Sequence, residues 1–590
     1  MRTALDPTTR PPARGPTGVA AGGPPARATI VRTEHRPRGA AIDVRSVTQA
    51  IQGVTTLHDV SFRVAPGDVV AIVGGSGTGK TTLLETMAGL RVPAAGEVTV
   101  TGAGDAPGVG YVPQDDIIHR DLPLARTLRY AAQLRLPAGT PRDVVDRTVD
   151  ETLAALDLGD RASVRVGSLS GGQRKRASIA VEMLTHPQVF FLDEPTSGLD
   201  PATAREVLRL LRRLARAGVT TVLTTHSPSD IDLCDRIVFL ARDGHLVFEG
   251  TPDEARRHFG SHDLTVAYER LAVEDTPAVW AQRFAASREP VEAPAAPNRS
   301  PLPAGPARGR GGPAVDRGAG PLQQWAVLTR RSADLLVRNR LTLAVLVGSP
   351  ALVTAMMAVL FRPGAFDATG SAPDEATQAV FWLAFAGFFF GLTYGLLQIV
   401  GEMAILRRER LAGVHLAAYV GAKVTVLTPI LAAVAGVMLA VLRALDRLPA
   451  ASGGVYAALL VTLTLEALAA LALGLLASAA VTDAAQATLA LPMLCFPQVL
   501  FAGAIVPVAD MALPGRVMSH GLANRWAFES LGRALDLDRL VTSLAASPHQ
   551  ATFTGSPVQG WAVLAGFAGL LLVATVAVLH RRAPGAATRR

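Results

Sequence analysis

Cysteine is nearly absent from this chain of 590 residues: Cys234 and Cys495 are the only two, and they fall in different regions. That excludes a disulfide framework and a cysteine-built metal site. Lysine is almost as rare. Of 57 basic residues, only Lys80, Lys175 and Lys423 are lysine, the rest arginine. Charge of either sign is sparse, at 18% against 49% hydrophobic residues, and mean hydropathy is +0.30. This balance is too apolar for an ordinary soluble enzyme. The formal net charge of +8 raises nucleic acid as a partner. The arginines, however, lie in tails, linkers and helix ends rather than in one stripe beside aromatics, so no nucleic-acid partner is expected. The N-terminus carries arginines but no apolar core segment, so it does not read as a secretory signal.

What is present is a complete phosphate-binding loop, Gly74-Gly75-Ser76-Gly77-Thr78-Gly79-Lys80-Thr81, followed by Thr82. It matches G-x-x-x-x-G-K-[ST] at every fixed position. Glycines let backbone N–H groups turn inward around phosphate oxygens, and a following helix N-terminus adds partial positive charge. Lys80 is expected to reach the β- and γ-phosphates of ATP and the Thr81 hydroxyl to hold Mg²⁺. In an arginine-rich chain, a lysine here suits a compact point charge among phosphates.

Around this loop the pattern is α/β from about residue 41 to 285. Apolar runs at Val69–Val73, Val189–Leu192 and Val219–Thr224 read as strands of a largely parallel, covered sheet. Thr81–Leu90 and Arg205–Ala217 read as helices between strands. Residues 1–40 and 286–321 are rich in Pro, Gly, Ala and Arg, and read as a disordered tail and a linker. Residues 322–340, with Trp325, Leu328, Leu335 and Leu336 among four arginines, suit an amphipathic helix at the cytoplasmic interface.

Residues 341–582 then form a membrane domain. Six stretches approach the roughly 20 residues needed to cross: Leu341–Phe361, Val380–Gly401, Val424–Leu442, Val455–Val481, Ala484–Val508 and Gly560–His580. Arginine clusters precede the first, separate the second from the third and follow the sixth. The positive-inside rule therefore puts both termini, including the tail 583–590, in the cytoplasm. Residues near 509–559 become external. Glu466 falls near the middle of the fourth stretch, where an ionisable group facing lipid costs at least about 2.5–3.5 kcal/mol. It is expected to face the bundle interior, either as a hydrogen-bonded structural carboxyl or as a substrate contact. Gln498, Thr393 and Tyr394 are further candidates to line a pathway.

The remaining motifs occur in a telling order. Gln114 lies in Tyr111-Val112-Pro113-Gln114. Leu169-Ser170-Gly171-Gly172-Gln173 opens a second anion-binding helix start. An apolar strand ends in Asp193-Glu194, placed to hold Mg²⁺ and to orient or deprotonate water. Asp200 and then His226 follow. This series resembles the ATP-binding cassette family. The resemblance implies that Gln114 couples Mg²⁺ to the membrane domain, that Asp200 lies in a loop crossing to a partner, and that His226 contacts the γ-phosphate. It also implies a dimer, homo- or heteromeric, because each ATP lies between the phosphate loop of one copy and the Ser170–Gln173 loop of another. One departure is clear: no aromatic lies between Ala41 and Thr56 to stack on adenine.

A cassette that precedes its membrane domain resembles the ABCG, or white-type, half transporters, as does Arg408-Glu409-Arg410-Leu411-Ala412-Gly413 between the second and third spans. Arg407–Arg410 reads both as a positive-inside anchor and as a coupling helix docking near Gln114. The fold implied is a P-loop α/β domain followed by an all-α domain of six transmembrane helices. The function implied is ATP-driven export of an amphiphilic, lipid-like or drug-like substrate across a plasma membrane, with surrounding lipid as a further partner. An ATP-gated membrane regulator without net transport is the alternative. Alanine and arginine enrichment points to a high-GC bacterial source.

Overall fold

The computed structural model describes residues 39–583 apart from 52, 103–107, most of 262–275, 288–318, most of 365–372, and 539–551. The expected tail, most of the linker, part of the external segment and the C-terminal residues 584–590 lie outside the described residues.

Among the described residues, the first half carries two sheets. Strands β1 (Ala41–Ile51), β2 (Val54–Val64) and β4 (Ala95–Thr101) form an antiparallel three-stranded sheet in the order β2-β1-β4. The second sheet has six strands: β3 (Val69–Val73), β5 (Val109–Val112), β6 (Val189–Leu192), β7 (Thr220–Thr225), β8 (Arg236–Leu240) and β9 (Leu246–Gly250), in the order β5-β6-β7-β3-β8-β9. All its pairings are parallel except β8 with β9. Every residue of β3, β6 and β7 is buried, as expected of parallel strands covered on both faces. Helices α1 (Lys80–Met87), α2 (Leu124–Arg135), α3 (Arg142–Ala155), α4 (Gly171–Met183), α5 (Pro201–Arg216), α6 (Pro228–Ile231), α7 (Pro252–His258) and α8 (Pro277–Ser287) complete this half.

The sheet order positions the chemistry. In registers such as Val112↔Leu192, Leu192↔Leu223 and Val73↔Thr225, four neighbouring parallel strands end together. The phosphate loop leaves β3, Gln114 follows β5, Asp193-Glu194 follow β6 and His226 follows β7. Open α/β sheets gather ligands at the carboxyl ends of their strands.

The second half is helical: α9 (Pro321–Arg338), α10 (Arg340–Leu360), α11 (Pro373–Leu396), α12 (Met403–Leu411), α13 (Leu416–Ala444), α14 (Gly453–Ala480), α15 (Ala484–Leu500), α16 (Leu513–His520), α17 (Ala523–Ala534) and α18 (Val558–Arg582). Among the described residues, five segments are long and apolar enough to cross a membrane: Thr342–Leu360, Glu375–Leu411, Leu416–Ala444, Gly453–Ala480 and Val558–Arg582. The fifth predicted stretch, Ala484–Val508, is a sixth apolar helix but a shorter one. It stops at Leu500 after 17 residues, about 25 Å at 1.5 Å per residue. The chain then turns at Gly503, whose φ is 92°, so the hydrophobicity past Leu500 is not helical length.

Helix α14 is the hub, packed on α11, α17 and α18. Its contact with α11 runs along Gly387, Gly391 and Gly395, spaced four apart. A Cβ on Gly391 would fall 2.1 Å from the Ala467 carbonyl oxygen, and one on Gly395 2.6 Å from that of Leu471. Lipid offers no hydrophobic drive for helix association, so close backbone approach through small residues supplies dispersion contact instead. Glu466 lies on the same face of α14, fully buried, in the notch that Gly387 leaves. Helix α17, inside the segment expected to be external, is largely buried in the bundle. Ala527, Phe528 and Leu531 belong to its core.

Candidate active site

The phosphate loop is shaped by two glycines in the left-handed region, Gly77 (φ 79°) and Gly79 (φ 86°). A side chain at Gly79 would also meet the Thr56 carbonyl oxygen at 2.6 Å. Lys80 is buried, and its Nζ donates to the carbonyl oxygens of Gly74 (2.9 Å) and Gly75 (2.8 Å). Burial lowers its pKa against the opposing pull of Glu194 and Asp193. Its ammonium is thus held at the mouth of the loop, where phosphate oxygens would replace the carbonyls.

Opposite the loop, the Thr81 hydroxyl donates to both oxygens of Asp193 at 3.1 Å. Thr224 on β7 does two jobs. Its hydroxyl donates to Asp193 Oδ1 (2.6 Å) and accepts the Glu194 N–H (2.8 Å). Burial raises the Asp193 carboxyl above its usual range, against those hydroxyls, which lower it. A hydroxyl and a carboxylate converging across 3 Å are hard oxygen donors of the kind Mg²⁺ takes alongside substrate phosphates and water. Among the described residues no cluster of three or more His, Cys, Asp or Glu forms an all-protein metal cage. The Thr81–Asp193 pair is a donor set that fits a metal held jointly with a nucleotide's phosphates.

Glu194 is held in an unusual backbone conformation, φ 41°, a local cost that persists at functional sites when surroundings over-determine it. Gln114 Nε2 donates to Glu194 Oε2 (3.2 Å), and His226 Nδ1 approaches the same oxygen at 3.3 Å. Both contacts fall on Oε2. His226 is 59% exposed in its side chain and Glu194 19%. Ser76, Gly77, Gly79, Lys80, Thr81, Thr82, Gln114, Glu194 and His226, with Thr56, line one cleft of about 630 Å³. No Phe, Tyr or Trp is among the described residues lining it, in keeping with the missing adenine stacker.

The second glycine motif is elsewhere. Ser170 caps α4 with a reciprocal box: its hydroxyl accepts the Gln173 N–H, and Gln173 Oε1 accepts the Ser170 N–H. Gly172 is buried where a Cβ would strike Thr203 Cγ2 at 2.1 Å. Ser170 and Gly171 are exposed, and none of residues 170–173 lines the cleft. Asp200 caps α5, accepting from the N–H groups of Ala202 and Thr203. The structure thus gathers the phosphate loop, Gln114, Asp193, Glu194 and His226, and leaves Ser170–Gln173 and Asp200 on other surfaces.

A chain of buried ions runs from α4 to the membrane helices. Lys175 Nζ donates to the Gln114 carbonyl (2.6 Å) and pairs with Asp116 (3.3 Å). Glu182, at the far end of α4, receives Arg135 through both terminal nitrogens (2.8 and 2.9 Å) and Arg408 Nε (2.7 Å). Burial pushes the Glu182 carboxyl up, but the two guanidiniums hold it down to about 2. Arg408 also donates to the carbonyls of Ile117 and Ser178, each 2.9 Å. Its neighbour Glu409 pairs with Arg331 on α9, and Arg410 donates to the Ala583 carbonyl (3.2 Å). Three consecutive residues thus address the cassette, the connecting helix and the C-cap of α18. Arg407–Arg410 docks on α4 and on Ile117, three residues past Gln114.

Sequence reasoning missed Thr224, Lys175, Arg135 and Glu182. The signal for Lys175 was the rarity of lysine: all three lysines of the chain are buried in the fold, at 7, 3 and 4% exposure for Lys80, Lys175 and Lys423. Of the pathway candidates, Glu466 has neither oxygen hydrogen-bonded. Gln498 is committed to structure, accepting the Asn524 N–H on its side chain (3.0 Å) and the Asn524 Nδ2 on its carbonyl (2.9 Å).

Comparisons with known proteins agree with this architecture. A family model described as ABC transporter matches residues 57–197, and one described as ABC-2 type transporter matches residues 323–533. The chain is 34% identical over 533 residues to the ABC transporter ATP-binding/permease protein Rv1747 of Mycobacterium tuberculosis, covering 87% of this chain and 60% of that protein. It is 34% identical over 242 residues to ABC transporter G family member 20 of Dictyostelium discoideum, 40% of this chain and 33% of the relative. It is 36% identical over 212 residues to G family member 16 of Arabidopsis thaliana, 34% of this chain and 29% of the relative. The chain therefore spans less than two thirds of the first relative's length and a third or less of the other two. The two family matches in this order, a cassette ahead of an apolar helical domain, place the chain in the ABC transporter family, with G family members among its relatives.

Proposed function

We propose that this chain is an ATP-hydrolysing half transporter that acts as a dimer and exports an amphiphilic substrate across the cell membrane. The observation that carries this reading is a nucleotide cleft complete on one side only. The phosphate loop, Glu194 and His226 share the cleft, while the exposed Ser170–Gly171 helix start lies outside it. A second cassette, from an identical or a related chain, would supply that missing wall. The ion chain through Glu182 and Arg408 supports transmission to the membrane helices.

In this mechanism the N–H groups of the phosphate loop and Lys80 bind the phosphates. Thr81 and Asp193 would hold Mg²⁺, which when bound neutralises charge on the phosphate oxygens. Gln114 and His226 fix Oε2 of Glu194, leaving Oε1 to take the proton of the attacking water. Closing two cassettes on ATP moves α4, and Arg408 carries that displacement to the helices. Glu194→Gln keeps the shape and removes the base, so turnover should fall at least about 100-fold, the usual worth of a general base, with ATP binding retained. Unchanged turnover would remove Glu194 from its role. ATP-driven flux of an amphiphile into sealed vesicles tests export; hydrolysis without flux across a broad amphiphile panel would favour a gated regulator.

A further inference from the structure

A second crevice, of about 580 Å³, lies where the cassette meets α9, α10, α11 and α13. Its upper wall is aliphatic, with Leu335, Leu346 and Leu427. Val345 and Leu397 line it too and are 47 and 52% exposed, so its mouth is flanked by the kind of surface that faces hydrocarbon. Its depth follows from helix geometry. Thr342 and Leu346 belong to the first two turns of α10, and Thr393 lies three residues from the end of α11. At 1.5 Å per residue Leu346 lies about 6 Å along α10 from Thr342, where its apolar span begins, a distance that matches headgroup and glycerol in the cytoplasmic leaflet.

Its floor is charged, with both signs and open valences. Glu402 receives Lys423 Nζ (2.8 Å) and the Tyr419 hydroxyl (2.9 Å), and both bonds fall on Oε2, leaving Oε1 an acceptor. His119 is 8% exposed, and its Nε2 has no hydrogen-bond partner. Burial holds that imidazole neutral, its pKa down to about 4. Arg120 lines the rim, exposed, with no ion pair among the described residues. A buried polar atom without a partner is costly, which argues that a ligand group supplies one. A cation at the rim, an acceptor carboxylate within and an aliphatic wall above complement a zwitterionic amphiphile whose cationic end carries N–H donors.

We propose that this crevice binds an aminophospholipid of the cytoplasmic leaflet, its phosphate at Arg120, its primary ammonium between Glu402 Oε1 and His119, and its chains along Val345, Leu346 and Leu397. The site lies within one protomer and does not depend on what the dimer transports.

The test uses the full chain in nanodiscs containing a photoactivatable phosphatidylethanolamine or the matching phosphatidylcholine, with labelled peptides identified by mass spectrometry. Phosphatidylethanolamine should label the segments around residues 118–121, 342–346 and 393–402, about fivefold or more over phosphatidylcholine, whose quaternary ammonium has no N–H to give; that ratio is the worth of one to two hydrogen bonds. Arg120→Ala, an exposed change, should cut labelling severalfold, and Leu346→Trp, which fills the crevice, should abolish it. ATPase activity in both variants reports that the fold is kept. Water-soluble glycerophosphoethanolamine should not compete at millimolar concentration. Equal labelling by the two lipids, labelling confined to other segments, persistence of labelling in Leu346→Trp, or displacement by the soluble headgroup would each overturn the proposal.

Discussion

The Glu182 cluster gives the sharpest prediction, because its charges are unequal. Two guanidiniums, Arg135 and Arg408, share one carboxylate, and all three side chains are over nine-tenths buried. Arg408→Leu removes three charge-assisted hydrogen bonds but leaves Glu182 and Arg135 as a neutral bidentate pair. Its cost should be about 1–3 kcal/mol, that of orphaned carbonyls and lost bonds. Glu182→Leu instead strands two buried cations. Removing the shared partner of a buried pair costs about 3–5 kcal/mol, so the glutamate variant should be the less stable by roughly 2 kcal/mol. Linkage gives an independent figure of the same order. The carboxyl falls from 4.5 in the unfolded chain to about 2 in the fold, which is worth about 3 kcal/mol. Because the folded value is the lower one, this contribution is complete above pH 4.5 and is lost as pH falls through 2. Function should separate the same way. Arg408→Leu should keep ATP binding while losing stimulation of ATPase by substrate in lipid, since the cassette stays intact and its grip on the membrane helices is gone. Thermal unfolding in detergent and ATPase in proteoliposomes measure both. A Glu182→Leu protein at least as stable as Arg408→Leu, or an Arg408→Leu protein with full stimulation, would refute this reasoning.

Other outcomes follow from the same geometry. Gly391→Leu puts a side chain where a Cβ already lies 2.1 Å from the Ala467 carbonyl, so it should separate α11 from α14 and lower the melting temperature sharply. Gly387→Ala meets side-chain ends, Glu466 Oε2 at 3.0 Å and Leu463 Cδ2 at 3.2 Å, with the nearest carbonyl, that of Leu463, at 3.7 Å, and should cost far less; the two melting curves decide. Burial lowers the His119 pKa from 6.5 to about 4. The neutral form is therefore favoured in the fold, and stability should decline as pH drops from 6.5 towards 4, by at most about 3 kcal/mol. His119→Gln should flatten that decline in pH-dependent denaturation.

The nucleotide site was legible because each of its parts is short and local. Val69–Val73 and Val189–Leu192 have the predicted bounds, and the motif following each strand announces its residue. The connection to the membrane was only half legible. Arg407–Arg410 is conspicuous, but Arg408 finds Glu182 and Ile117 at separations of 226 and 291 residues, and no local pattern encodes such a pairing. The external position expected for α17 rests on span topology alone, which does not show that its face with Arg525, Glu529 and Arg533 packs into the bundle. In the fold they neutralise one another at i,i+4 spacing, each nearest bond 2.9 Å, which lets the helix enter the bundle. The reach of the fifth apolar stretch was overestimated because hydropathy cannot see the turn at Gly503. The four-residue spacing of Gly387, Gly391 and Gly395 was in plain view and marks the α11–α14 contact.

The most direct test of the account counts cassettes. Nanodiscs holding one copy of the chain should bind ATP and fail to hydrolyse it, while discs holding two copies should hydrolyse it, and Ser170→Arg in both copies should silence the pair. Hydrolysis in single-copy discs at the per-chain rate of two-copy discs would contradict a nucleotide site completed by a second cassette.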